Sequence, residues 1–162
     1  MSLIARALST RRPTLFRTVG FVVGTNVLGA LPAVLVGADT RWFEEPWFYP
    51  PGIAFPVAWT VLFALMGLSV SIVYGRGLDR PDVRLALAAF AVQFVLNLAW
   101  TPVFFGLRRP GLGLAVIVAL WIAILGTIAA AVRVDRRAAA LLVPYLGWVS
   151  FAAVLNYAIY AQ

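Results

Sequence analysis

Five apolar stretches, at 19–36, 54–74, 85–105, 112–132 and 138–161, run without one Asp, Glu, Lys or Arg between their ends. About 20 apolar residues are enough for a helix to cross the hydrocarbon core of a bilayer. Each stretch meets that length. A soluble fold of 162 residues has no interior large enough to hide five such segments. The composition agrees, with 63% hydrophobic and 12% charged residues. The expectation is an all-α integral membrane protein, a five-transmembrane-helix bundle formed as a single domain over 1–162.

The residues that are missing exclude much chemistry. The chain has no Cys, His or Lys, and its 13 basic residues are all Arg. Without Cys there is no disulfide, thiolate nucleophile or sulfur ligand. Without His there is no ordinary proton shuttle or haem ligand, and without Lys no Schiff base. The six acids, Asp39, Glu44, Glu45, Asp79, Asp82 and Asp135, fall in the connections between stretches. A proton-coupled transporter normally holds a carboxylate at membrane depth. Acid–base, metal-dependent and ion-coupled functions are therefore not expected, and no residue is assigned a catalytic or metal-binding role on this basis.

The net charge of +7 reads as a topology signal, so nucleic acid is not expected as a partner. Ten arginines fall on one side: Arg6, Arg11, Arg12 and Arg17 before the first stretch, Arg76, Arg80 and Arg84 after the second, and Arg133, Arg136 and Arg137 after the fourth. Arg41, Arg108 and Arg109 fall on the other. The positive-inside rule then puts the N-terminus in the cytoplasm and the C-terminus outside, as an odd number of spans requires. The basic first 17 residues resemble a signal n-region or transit segment. The stretch after them is longer than the usual 7–15-residue h-region, so a retained helix is expected.

The first connection, 37–53, differs from the others. It carries Asp39, Glu44 and Glu45, Trp42 and Trp47, and Pro46, Pro50 and Pro51, the composition of an ordered interfacial loop with rigid turns. Trp42 and Trp47 fit an aromatic belt at the membrane surface, unless the loop brings them over a pocket. Pro102 lies within the third stretch and should kink its helix. Pro56 and Pro144 fall in first turns, where proline is tolerated. Gly20 and Gly24 form a small-xxx-small pair suited to close helix packing.

Polar groups at membrane depth are few and fall on stripes. The third stretch spaces Gln93, Asn97, Trp100 and Phe104 by four, three and four; the fifth carries Tyr145, Trp148, Ala152 and Asn156; the second opens with Phe55, Trp59, Phe63 and Met66. Converging stripes of this kind make a flat-walled pocket with a few polar anchors. The same amides also suit interhelical hydrogen bonds, and pattern alone leaves both readings open for Trp59, Trp100 and Trp148. Trp121, alone on the fourth stretch, reads as a packing or lipid contact.

Particular segments go further. Pro46-Trp47-Phe48-Tyr49-Pro50-Pro51, then Phe55-Pro56-Val57-Ala58-Trp59-Thr60 and Met66-Gly67, resemble the start of the second helix in the TspO/translocator-protein family, the tryptophan-rich sensory proteins and peripheral benzodiazepine receptors. Asn97-Leu98-Ala99-Trp100-Thr101-Pro102-Val103-Phe104-Phe105-Gly106 is similar to its third-helix signature. Pro144-Tyr145-Leu146-Gly147-Trp148 and Leu155-Asn156-Tyr157 are similar to its fifth. The likeness covers roughly nine-tenths of the chain. Phe48, Tyr49 and Ile53 depart from the family pattern at the pocket mouth, which leaves ligand preference open. No basic residue follows Tyr145, Tyr157 or Tyr160, so the cholesterol motif of animal members is not carried over; 70–76 fits only its loose form.

The resemblance implies a five-helix bundle whose pocket opens toward the 37–53 loop. Phe55, Trp59, Asn97, Trp100, Trp148 and Ala152 would line it. The implied ligand is protoporphyrin, haem or another flat aromatic molecule, with no obligatory cofactor. The implied setting is the lipid bilayer, with a homodimer as one assembly. Aromatic faces stack on a flat tetrapyrrole, Asn97 would anchor a polar substituent, and Arg41 is the base in the loop that would meet a propionate unless it is a plain surface charge. Without His or Cys, ring and carboxylates rather than iron would carry the binding. The first reading is a tetrapyrrole-binding sensor or regulator. The alternatives are an uncoupled porphyrin transporter and a light-dependent porphyrin-degrading protein, in which Trp59 and Trp148 would supply the radical chemistry.

Overall fold

A computed structural model describes the backbone of residues 3–162 and the side chains from residue 14 onward. The side chains of Arg6, Arg11 and Arg12, which enter the topology argument, lie outside the described residues. The elements are α1 (Leu3–Val36), α2 (Ala54–Tyr74), α3 (Pro81–Thr101), a π-helical turn (Pro102–Gly106), α4 (Pro110–Val134), α5 (Arg136–Ala140) and α6 (Val143–Tyr160). Five spans of 21–26 residues result, the third made of α3 with the π turn and the fifth of α5 with α6. At 1.5 Å per residue each crosses a bilayer core. The chain is a helical, multi-pass integral membrane protein.

Helix ends extend past the charge-free stretches because charged residues are good end residues. Pro81 and Pro110 occupy first helical positions and Pro144 a second, where the missing N–H costs nothing. Asp82, expected in a connection, instead lies in the first turn of α3. An acid there complements the helix dipole. Asp135 separates α4 from α5; its extended backbone (φ −159°) ends one helix, and its carboxylate caps the next by accepting from Arg137 N–H at 2.8 Å. The Arg76 guanidinium pairs with the same carboxylate, and with the Arg137 N–H it holds the Asp135 pKa below the ordinary value. The connections after α2 and α4 are thereby tied together.

Pro102 does not produce a simple kink. The chain widens there into the π turn, closed by Leu107 N–H donating to Pro102 O at 2.9 Å. A proline removes one rung of the α ladder, and a π turn is one way to re-pair the carbonyls around the gap.

Around the bundle, α1 packs on α2 and more lightly on α3, α3 on α4, and α4 on α6. A close backbone approach runs between α1 and α2. A Cβ on Gly67 would fall 2.6 Å from Val22 Cα, and one on Gly29 would run into the Phe63 ring. Across this contact Thr25 Oγ1 donates to Phe63 O at 2.7 Å, and the Thr18 and Ser71 hydroxyls meet at 2.7 Å. Gly20 and Gly24 play no part in it; nothing lies within 4 Å of a Cβ at either.

The core is layered along the bundle. Small residues fill the end nearest Asp135, among them Val83, Ala86, Ala131 and Ala138. Leu62, Phe63, Met66, Leu120, Ile124 and Tyr145 fill the middle. At the opposite end Phe104, Leu155 and Ile159 carry the aromatic side chains of the 38–53 loop. Backbones of α2 and α6 approach closely at few positions, so side chains bridge that seam.

Candidate functional site

Each expected site residue is placed by the turn it occupies. Phe55 and Trp59 are one turn apart at the start of α2; Asn97 and Trp100 are on the last turns of α3; Trp148 and Ala152 are one turn apart on α6. Trp59, Trp100, Trp148 and Ala152 all pack against the middle core cluster. Phe55 belongs to the neighbouring loop-side cluster, which Trp100 also joins. Rings connect the two: Phe55 meets Trp148 edge-on at 6.0 Å, Trp59 stacks on Phe63 at 5.2 Å, and Trp59 meets Tyr145 at 6.3 Å. The three helices therefore set the six residues between the middle of the bundle and its loop end.

The amides are already engaged. Asn97 Nδ2 donates to Tyr145 Oη at 2.9 Å, and Tyr145 Oη donates to Gln93 Oε1 at 2.9 Å. Trp100 Nε1 donates to Asn156 Oδ1 at 3.1 Å, and Asn156 Nδ2 to Pro110 O at 2.8 Å. Facing stripes on α3 and α6 thus close on each other as interhelical hydrogen bonds, one of the two roles their spacing allowed. The ties across the helices leave Asn97 only part of its hydrogen-bonding capacity for a ligand. Trp121 is a packing residue with a polar tie, its Nε1 donating to Ser150 Oγ at 2.9 Å. Ser150 carried no signal in the sequence, being a single hydroxyl off every stripe.

Trp148 has two sides. One packs on the core; the other lines a groove of about 570 Å³ between α2 and α6, with Val57, Val61, Gly147 and Phe151 as walls and Pro50 of the loop at one end. The groove is open on the outer face of the bundle, where Val57 and Val61 are more than half exposed, and of the six expected site residues Trp148 alone lines it. Gly147 leaves the floor flat, since a Cβ there would meet nothing within 4 Å.

Above these rings lies the loop. It is built from hydrogen-bonded turns at 40–43, 46–49 and 51–54. Asp39 anchors it, accepting from Arg41 Nε at 2.8 Å and pairing with Arg108 at 3.5 Å. The Arg41 side chain is 88% exposed and its guanidinium holds the Asp39 pKa low, so Arg41 is the surface charge of the two alternatives. At the far side Glu44 and Gln162 exchange two hydrogen bonds, Glu44 N–H to Gln162 Oε1 at 3.2 Å and Gln162 Nε2 to Glu44 O at 2.8 Å. Burial, with Glu45 nearby, raises the Tyr49 pKa. The two loop tryptophans part ways. Trp47 is 95% exposed, whereas Trp42 turns inward onto Phe104 at 5.4 Å and Phe43 at 4.8 Å. Phe104 in turn stacks on Trp100 at 4.9 Å.

Comparison with known proteins decides the family. The TspO/MBR family profile matches residues 20–161. The chain belongs to the TspO/MBR family. It is similar to the tryptophan-rich protein TspO of Chlorobaculum tepidum, 46% identical over 115 residues that cover 71% of this chain and 73% of the relative. Protein CrtK of Rhodobacter capsulatus is 38% identical over 86% of this chain and 88% of its own. The translocator protein of Sus scrofa is 31% identical over 91% and 90%. The TspO-like segments read in the sequence fall where the three helices meet: Pro46–Pro51 ends the loop, Phe55–Trp59 opens α2, Asn97–Gly106 spans the end of α3 and the π turn, and Pro144–Trp148 opens α6.

Proposed function

We infer that this TspO/MBR family member binds a flat tetrapyrrole, protoporphyrin or haem, at the loop end of the bundle and acts as a sensor or regulator of tetrapyrrole and stress metabolism. One observation carries the reading. The rings of Phe55, Trp59, Trp100 and Trp148 gather from three helices beneath an aromatic loop, and Trp148 faces a groove of about 570 Å³. Such rings offer stacking faces to a macrocycle. Trp148, Phe55 and Gly147 would hold the ring plane, and Ala152 leaves room one turn further along α6.

No His or Cys is available to ligate an iron, so free-base protoporphyrin and haem should bind with similar affinity. Titration of purified protein in detergent, followed by Trp fluorescence, checks this. A haem preference above about a hundredfold, nearly 3 kcal/mol, would require iron coordination and contradict the reading.

The photochemical alternative draws support from ring placement alone. Trp148 lines the groove, so an excited porphyrin there would have one oxidisable indole beside it, with Trp59 and Tyr145, 6.3 Å apart, behind it in the core. Product analysis after illumination separates it from simple binding. For orientation, the ten-to-three arginine count favours the 37–53 loop outside and the Arg76–Asp135 end in the cytoplasm.

A further inference from the structure

Among the described residues, two buried side-chain polar atoms have no hydrogen-bond partner, Arg17 Nε and Trp42 Nε1. Arg17 has a physical account: its guanidinium lies over the Tyr74 ring at 5.9 Å, at the charged end of α1 and α2. Trp42 has none. A buried indole N–H nearly always finds an acceptor, and the other bundle indoles with buried tips do so: Trp100 gives its hydrogen to Asn156 and Trp121 gives its own to Ser150.

The rings packed on Trp42 are Phe43 and Phe104, neither of which offers an acceptor. The donor is also in a telling place. Through Phe104 it adjoins Trp100, and through Phe43, Tyr49 and Phe55 it is linked ring by ring to Trp148. The loop that carries it is held down by few polar contacts, Asp39 with Arg108 at one end and Glu44 with Gln162 at the other.

We propose that the Trp42 indole N–H is a ligand-binding donor, and that it takes a carboxylate oxygen at the edge of the aromatic ligand when the loop lifts and closes over it. The assignment rests on the tetrapyrrole reading for the identity of the ring, and on the orphaned donor for the oxygen. It replaces Arg41 as the loop residue that meets an acidic substituent, since Arg41 is spent on Asp39. A carboxylate accepting from an uncharged N–H in an apolar setting makes a charge-assisted bond, and the donor gains the partner it lacks.

The test uses the full chain in nanodiscs with two porphyrins: mesoporphyrin, whose propionates end in carboxylates, and etioporphyrin, the same ring with alkyl groups alone. Trp42→Phe keeps a ring for packing and removes the N–H. The variant should lose about tenfold of the wild-type preference for mesoporphyrin, with etioporphyrin affinity within about twofold. In the wild type, the Trp42 indole ¹H–¹⁵N resonance should move downfield with mesoporphyrin and stay in place with etioporphyrin, a readout that does not depend on the variant folding. Equal losses for both porphyrins, no loss for either, or an unmoved resonance would overturn the donor role. Should the wild type bind neither porphyrin, the tetrapyrrole reading fails by itself, and the same resonance is followed with pyrenebutyrate and butylpyrene. A downfield shift with the acid alone upholds the donor; no shift with either overturns it.

Discussion

Tyr145 has no exposed surface, and its hydroxyl both accepts from Asn97 and donates to Gln93. That places three residues of two helices in one hydrogen-bonded chain. Removing the hydroxyl leaves two buried amide groups short of a partner. Tyr145→Phe should therefore lower stability by about 1–2 kcal/mol, at the upper end for membrane hydrogen bonds. Thermal unfolding in detergent measures it, and an unchanged midpoint would mean that the amides find other partners. The stripes Gln93-Asn97-Trp100 and Tyr145-Asn156 were legible from spacing because helical periodicity fixes which side chains share a face. Which partner each amide takes was not, because that depends on the rotation and depth of a second helix. Nor was the side to which Trp42 turns, for a related reason: composition places an aromatic at the interface but cannot say whether a loop turns it outward, as Trp47, or inward.

Among the helices, the close contact of α1 with α2 depends on Gly67 and Gly29 rather than on the Gly20/Gly24 pair that the motif suggested. A small-xxx-small spacing marks a helix able to approach another; the face that does so is set by the fold. Gly67→Ala would place a Cβ 2.6 Å from Val22 Cα, backbone that cannot swing aside, and would stretch the Thr25 to Phe63 bond. A cost of about 1–3 kcal/mol is expected, as for other overpacked contacts. Gly20→Ala, in open space, should leave the unfolding midpoint unchanged or slightly raised. The reverse order in detergent unfolding would contradict the α1–α2 geometry. The existence of five helices was plain from apolar length. Their ends were not, because Pro81, Asp82 and Pro110 lie outside the charge-free stretches while supplying good helix starts. The π turn at Pro102 shares its sequence signal with an ordinary kink.

For the whole molecule, charge separates the two ends. Asp39, Arg41, Glu44, Glu45, Arg108 and Arg109 gather at the loop end, while Arg76, Arg80, Arg84, Arg133 and Asp135 gather at the other. A cysteine introduced at Thr40 should react with an impermeant thiol reagent in intact cells, and one at Asp79 only after permeabilisation; the opposite pattern inverts the topology. The native chain, free of Cys, gives no background. The central claim is that the aromatic end of the bundle, between α2 and α6 beneath the loop, holds a flat tetrapyrrole. Its most direct test is an equilibrium titration of protoporphyrin into purified wild type, Ala152→Phe and Trp121→Phe. Ala152 packs on the same core cluster as Trp148 and Trp59, so a ring added there would displace the tryptophans proposed to hold the ligand; Trp121 ties α4 to Ser150. The account predicts saturable binding to the wild type, at least about tenfold weaker binding to Ala152→Phe, roughly 1.4 kcal/mol, and unchanged binding to Trp121→Phe. Binding abolished by Trp121→Phe and untouched by Ala152→Phe would contradict it.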